Sequence, residues 1–417
     1  MRSREHWPVN WVDGMKINKS HFQAEEAFFT EQTELHAAAR LTDLSYGLLP
    51  PSADYPGLDL VVTSERVELK NCRALTRGGH LLTVGPDNHG ELQRRMSDLM
   101  YGRDFSEADT WFVLLRVHPG ERISLGTPNP DEVPLRQPHT APRLSLEVTP
   151  VRQTGSAGEY THALPLARII RSFQGIERDR EYIPPVCRTL ASDQLLQLHQ
   201  HWKEQLLMME GDAFEIIRKI KDKHRKNQGQ QLSADLLSLT KASIRYVNAH
   251  FDAYRLLIPR QEPVYLIHWF MALARTIRNE LRMAANQENM LNYMAHFIEG
   301  VAATDLMRFC NELCDRDYDH LALRDLTVRV TDFLGFITRL FAQLRQLDYH
   351  QIADLTIIDR KTYERSDTQA RSPIVRPATT KAPGANLRIT SRGPDRNASP
   401  GGSGTPGSDG GTGWGLD

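Results

Sequence analysis

Cysteine is scarce in this sequence: four residues in 417, at Cys72, Cys187, Cys310 and Cys314. They are scattered along a chain long enough for two or three domains with real cores, which excludes a disulfide scaffold and points to a reducing compartment. Net charge is also missing. Lys and Arg number 51 against 52 Asp and Glu, giving -1. Such a balance leaves no chain-wide electrostatic footprint for nucleic acid, and little self-repulsion to oppose assembly. No apolar run reaches the ~18 residues that a membrane span requires. The longest, "VYLIHWFMALA" from Val264 to Ala274, is too short and contains His268. The opening "MRSREHWPVNWVDG" has charge but no apolar segment behind it, so it is not a secretory signal. A cytoplasmic protein is expected, in which the N-x-S matches at Asn18 and Asn397 are chance sequons.

Catalytic patterns are absent too. There is no G-x-S-x-G, H-E-x-x-H or C-x-x-C. "GGSGTPGSDGG" near the C-terminus follows no strand and opens no helix, so its backbone N–H groups would not converge on a phosphate. Cys310 and Cys314 lie one helical turn apart, but zinc needs four ligands and only His320 is near in sequence. Two buried small hydrophobes are the expected reading. His199 and His201 are two apart on a helix and point to different faces. No catalytic, cofactor-binding or metal-ligating residue is therefore assigned, and no small-molecule substrate or enzymatic activity is expected. Two alternatives remain open at this point: an enzyme on an unfamiliar scaffold, and an adaptor whose basic tail binds nucleic acid or an anionic surface.

What is present divides into three textures. "NKSHFQAEEAFFTEQTELHAAARL" is helical in pattern, with Ser20 and Gln23 placed for a capping box. Its large apolar residues form only a thin stripe, which predicts a surface helix. Strand-like segments follow: "LDLVVTS", "RVELKNCRAL", "GHLLTVG", "TWFVLLRVH", "RLSLEVTPV" and "HALPLARIIRS", separated by turn residues. They predict an antiparallel β-sandwich or barrel. Gly175 is expected in a turn, and Pro184–Pro185 marks a junction, since neither proline suits a helix interior or a central strand. The period then becomes helical. Leu195, Trp202, Leu206, Met209, Ile216 and Ile220 step by three and four, as do later stripes through Tyr254, Phe270 and Phe333. Short breaks between long helices predict an antiparallel bundle. From about Ser366 the chain is rich in Pro, Gly, Ser and Thr, carries Arg371, Arg376, Lys381, Arg388, Arg392 and Arg396, and ends with Trp414 and Leu416 nearby. Its composition predicts a disordered tail. The expected fold is thus α+β and multidomain: 1–187 a β-sandwich with an early helix, 188–350 a helical bundle, and 351–417 a short extension and tail.

The N-terminus raises a separate question. Trp7 and Trp11 flank Pro8, and Asp13–Gly14 supplies a turn. Tryptophan anchors interfaces because it buries much surface with little rotamer loss, yet it fills cores equally well. Either these rings offer a plug to a neighbour or they staple the terminus to its own sandwich. His21 is expected to act at the helix start, and Phe22 to pack inward.

The stretch "VNWVDGMKINKSHFQAEEAFF" resembles the start of the TssK family, baseplate subunits of bacterial type VI secretion systems, with Trp11, Asp13, Gly14, Met15, His21, Phe22 and Gln23 as the matching residues. Further similar segments follow in order. They are "LSYGLLP" from Leu44 to Pro50, "ARIIRSFQGIERDREYIPPVCRTLASDQLL" with Tyr182 to Pro185, "EPVYLIHWFMALARTI" with Pro263 and Tyr265, and "YDHLALRDL" near Tyr318. The resemblance spans about residues 7 to 347. It implies a trimer whose N-terminal sandwich, akin to a phage shoulder domain, contacts the baseplate proteins TssG and TssF. It also implies a bundle about the threefold axis, and a cytoplasmic place on a baseplate docked at the inner membrane. The family continues into a folded C-terminal head that meets the membrane complex. The low-complexity tail here departs from that pattern, which puts docking of the usual kind in doubt. Trp7 joins the matching residues as a candidate partner contact.

Overall fold

A computed structural model describes residues 4–347 except 87, 91, 102–109, 152–159, 173–174, 226–230, 286, 298–299 and 301. The tail from Ser366, its basic residues and Trp414 lie outside the described residues. The fold class is α+β. The described residues form one compact unit.

An extended arm precedes helix α1 (Lys19–Arg40). The strands follow: β1 (Gly47–Leu48), β2 (Asp59–Val62), β3 (Arg66–Leu75), β4 (Leu81–Val84) and β5 (Leu92–Arg95). A single-turn helix α2 (Met96–Leu99) leads to β6 (Thr110–Leu125), β7 (His139–Pro150), β8 (Ala163–Ser172) and β9 (Gly175–Arg178). Every pairing between these strands is antiparallel. β3 is the spine of the first sheet. Its first half pairs with β2 and β5, and its second half with β1 and β4. The second sheet runs β7-β6-β8-β9. Val67, Leu69 and Leu82 of the first sheet and Val113, Leu115, Leu146 and Leu164 of the second share one buried cluster. The run from Trp111 to Leu115 is buried at every position, as a continuous apolar segment requires of a strand covered on both faces. Its other face packs Phe112 and Leu114 against Tyr160 and Tyr182.

The helical part comprises α3 (Asp193–Arg225), α4 (Gln231–Leu256), α5 (Pro263–Met283), α6 (Gln287–Phe297), α7 (Asp305–Cys314) and α8 (Leu323–Gln346). The stripes expected from spacing form its core: Trp202, Leu206, Met209, Ile216, Ile220, Tyr254, Phe270 and Phe333 are all fully buried. The cores are continuous at one end, because Leu195 of α3 and Leu323 of α8 belong to the sheet cluster. Both helices start at the sheets and run the same way. Lys219, late in α3, donates to the carbonyl of Arg345 at the end of α8, and Asp212 pairs with Arg345 at 2.7 Å. No helix among the described residues is long and apolar enough to cross a membrane.

Several expectations change here. Gly175, expected in a turn, opens β9 at φ +123 and pairs with Ser172, the last residue of β8. The α1 cap is not Ser20 with Gln23. Asn18 is the N-cap, its Oδ1 accepting from the N–H of Ser20 and His21, while His21 Nδ1 accepts from the Asn18 N–H at 3.3 Å. Asn18 caps because it precedes the first helical residue in the extended conformation that a cap needs, whereas Ser20, two positions on, already lies in the helix. Cys310 and Cys314 are free and buried on α7, as expected of small hydrophobes.

Candidate protein interface

The arm lies back along α1 and is fixed by two of its carboxylates. Glu31 Oε1 accepts from the Glu5 N–H and Oε2 from the His6 N–H, both at 2.8 Å. Glu25 Oε2 accepts from the Val9 N–H at 2.9 Å. Hydrogen bonds to ionised acceptors are the stronger class, about 1.5–3 kcal/mol each. Glu31 is the one buried side chain of α1. The helix is therefore a surface element, as its thin apolar stripe predicts, and its buried acid serves to hold the arm.

The aromatic side chains so positioned face outward. Trp7 is 68% exposed and Trp11 45% exposed. Neither belongs to a core cluster. The Arg4 guanidinium lies over both Trp7, at 5.1 Å, and Phe28, at 5.7 Å. Trp11 rests against His21 at 5.9 Å and Phe22 at 6.3 Å. Phe22, expected to pack inward, is 63% exposed. The reason is local: α1 turns its other side to the sheets, and what reaches Phe22 is the arm. Val12, Ile17 and Phe29 add exposed apolar surface on the arm and α1. Asp13 and Gly14 form the expected turn, closed by the Met15 N–H donating to the Val12 carbonyl at 3.2 Å. Met15 is half-buried, and Asp13 and Gln23 are exposed. The candidate residues thus fall on the arm and the first turn of α1, and their rings make two groups, Trp7 with Phe28 about Arg4, and Trp11 with His21 and Phe22.

Helix α1 meets the sheets through a polar seam. His80 Nδ1 is 2.8 Å from Glu34 Oε1, and His80 Nε2 is 2.8 Å from His162 Nδ1. Arg122 reaches Glu26 at 2.7 Å. Gly79 permits this approach, because a Cβ there would overlap the Glu34 carbonyl.

The other motif segments converge elsewhere, at the joint between sheets and bundle. The Leu48 N–H donates to the Pro185 carbonyl at 2.8 Å, and the Cys187 N–H to the Leu48 carbonyl at 2.9 Å. His320 Nε2–H donates to the Tyr46 carbonyl at 2.8 Å, while its Nδ1 accepts from the Tyr318 hydroxyl at 2.8 Å. The Thr189 N–H and hydroxyl both reach the Gln261 carbonyl, just before α5. Tyr182 stacks near Phe112 at 5.3 Å under the Arg168 guanidinium. "LSYGLLP", "YIPPV", "EPVY" and "YDHLAL" therefore make one structural node, a convergence that their order in the chain does not reveal.

Electrostatics at the node are those of a dry joint. Burial, partly offset by the bond to the Tyr46 carbonyl and by Asp319, lowers His320 to about 4. Burial pushes the Cys187 thiol up to about 12. Below its usual value near 6.5, the unfolded histidine takes a proton that the folded one refuses. Its contribution to stability is thus complete above about pH 6.5 and is lost as pH falls toward 4. Full loss amounts to roughly 3 kcal/mol. His199, also lowered by burial, acts in the same direction. Thermal unfolding followed from pH 7 to pH 4.5 should show this slope, and His320→Gln should flatten it while lowering stability at pH 7. An unchanged slope in that variant would remove His320 as its source.

A third feature lies on α3. Leu207, Met208 and Phe214 are exposed, and Gly211 between them has open space around it. Leu207, Gly211 and Phe214 align at i, i+4 and i+7, on one face. Leu196, also off the main stripe, is half-buried. Among the described residues no group of three or more His, Cys, Asp or Glu could hold a metal ion.

No known family profile matches the chain, and neither does any curated protein. Solved structures do. A chain of the type VI secretion TssK-TssF-TssG baseplate subcomplex is similar at 13% identity over 80% of this chain and 99% of that one, with a TM-score of 0.44. A crystal structure of TssK is similar at 16% identity over 81% and 69%, with a TM-score of 0.43. A chain of a type VI baseplate complex is similar at 14% identity over 81% and 100%, with a TM-score of 0.44.

Proposed function

We propose that this chain is a structural component of a type VI secretion baseplate, which works by presenting apolar surfaces to neighbouring proteins and not by catalysis. The observation that carries the reading is the N-terminal arm. Trp7, Trp11 and Phe22 stand exposed on a segment that Glu31 and Glu25 hold in one conformation. Ordering such an arm before contact lowers the entropy cost of binding. Exposed aromatics on a fixed scaffold are what an interface anchor requires. The resemblance of the surrounding residues to TssK names the neighbours as TssG and TssF. In this reading residues 1–187 are the baseplate-binding sandwich, 188–350 the assembly bundle, and 351–417 an extension toward the envelope.

The α3 strip supports self-assembly as a trimer. Obligate interfaces commonly bury ~2,000 Å² or more, and Leu207, Met208 and Phe214 offer a core for one. The test is co-expression with the TssF and TssG proteins of the same host, followed by mass measurement of the purified complex and of the chain alone. The expected result is stoichiometric co-purification, and a chain mass three times 47.5 kDa. Leu207→Glu with Phe214→Glu should yield a folded monomer. A wild-type monomer at micromolar concentration, with no co-purification, would end the proposal.

A further inference from the structure

The far end of the bundle carries a feature that neither the arm nor the α3 strip uses. The end of α3, the first half of α4 and the second half of α5 border an open groove of about 400 Å³. Lys221, Lys241 and Arg245 line it above a floor that includes Leu237 and Ala242. On α4 these residues repeat by three and four, so they share one face. Among the described residues none of the three cations pairs with a carboxylate. Elsewhere on α3 and α4, Arg218 and Arg255 are ion-paired to Glu215 and Asp252. The groove's one acid, Glu280, accepts from the Ser238 hydroxyl at 3.0 Å instead of engaging a cation. Lys241 and Arg245 lie one turn apart, an arrangement that destabilises an isolated helix by repulsion. Like charges left facing each other in a concavity are relieved by an anion.

We propose that this groove docks an acidic segment of a partner protein. The segment's carboxylates would lie against Lys221, Lys241 and Arg245, and one of its apolar side chains on Leu237 and Ala242. The shape favours a peptide. A bilayer or a duplex presents an extended anionic surface, which a recess between three helices does not match. The inference stands apart from the baseplate reading, since it needs only the bundle.

Fluorescence anisotropy of the full chain with a short labelled Glu/Leu peptide tests it, beside the Lys/Leu counterpart, single-stranded DNA and anionic phospholipid vesicles. The acidic peptide should bind with salt-sensitive affinity, and Lys241→Ala with Arg245→Ala should weaken it by about tenfold or more, with Lys221→Ala alone acting in the same direction. Lys241→Arg should retain binding. Equal affinity for the wild type and the double variant would overturn the proposal, placing any binding on cations outside the groove. So would a double variant that loses vesicles or DNA but keeps the peptide.

Discussion

Replacing Trp7 and Trp11 together by Ala should weaken binding to the TssF–TssG pair at least about hundredfold, because buried tryptophan anchors cost roughly 2 kcal/mol or more each on truncation. The melting temperature should hardly move. Both rings are already substantially exposed in the free chain, and neither sits in a core cluster. The separation of the two readouts is what gives the experiment force. Isothermal titration measures the affinity, and a thermal scan of the same samples measures the fold. Binding retained within threefold would dismiss the arm as an anchor. A large fall in melting temperature would instead mean that the tryptophans staple the terminus to its own body. Glu31→Gln offers an intermediate case. It leaves both rings in place and weakens their support, so affinity should fall less than in the double alanine variant.

Gly47→Ala should be the most destabilising single methyl addition in the joint. At φ +127 the backbone is in a region that side chains rarely adopt, and a Cβ would overlap the carbonyl of Pro185 and lie 2.5 Å from the Val186 nitrogen. Both obstacles are backbone, so no rotamer change relieves them. β1 would have to part from residues 185–187, breaking the Leu48–Pro185 and Cys187–Leu48 hydrogen bonds. Strain and lost bonds together amount to about 4 kcal/mol or more. At 2–4 °C per kcal/mol for a domain of this size class, the melting temperature should fall by roughly 10 °C. Gly14→Ala is the control. It too has a positive φ, but nothing lies within 4 Å, so only a conformational cost near 1 kcal/mol remains. Equal effects at the two positions would refute the steric account.

Much of this architecture was legible from periodicity. The apolar stripes of α3, α4, α5 and α8 and the alternation of Leu144, Leu146 and Val148 report burial directly, because one face of each element is covered. Elements without a covered face were not legible. β5 reads "LQRR" with three of its four residues exposed, and β9 is four residues long. Phe22 was misjudged for the same reason in reverse: a general preference for burial says nothing of which side of α1 meets the sheets. The cap was misjudged because Ser20 and Asn18 are both good capping residues, and backbone conformation decides between them. The node at Tyr46, Pro185, Gln261 and His320 was unreadable in principle from order alone, since its members lie up to 274 residues apart. The motifs that mark the resemblance are thus of two kinds. Those at the N-terminus lie on the arm and the first turn of α1, most of them exposed, and the others hold two modules together.

The common direction of α3 and α8 has a mechanical consequence. Both are rooted in the sheet core through Leu195 and Leu323, and they are tied again near their far ends by Lys219 and Asp212. If the pair tilts as one rigid arm, the joint is its pivot. At 1.5 Å per residue the 33 residues of α3 reach about 50 Å, so a tilt of about 5° at the pivot sweeps the tip through about 4 Å. A displacement imposed beside the sheets would then be largest at the opposite extremity.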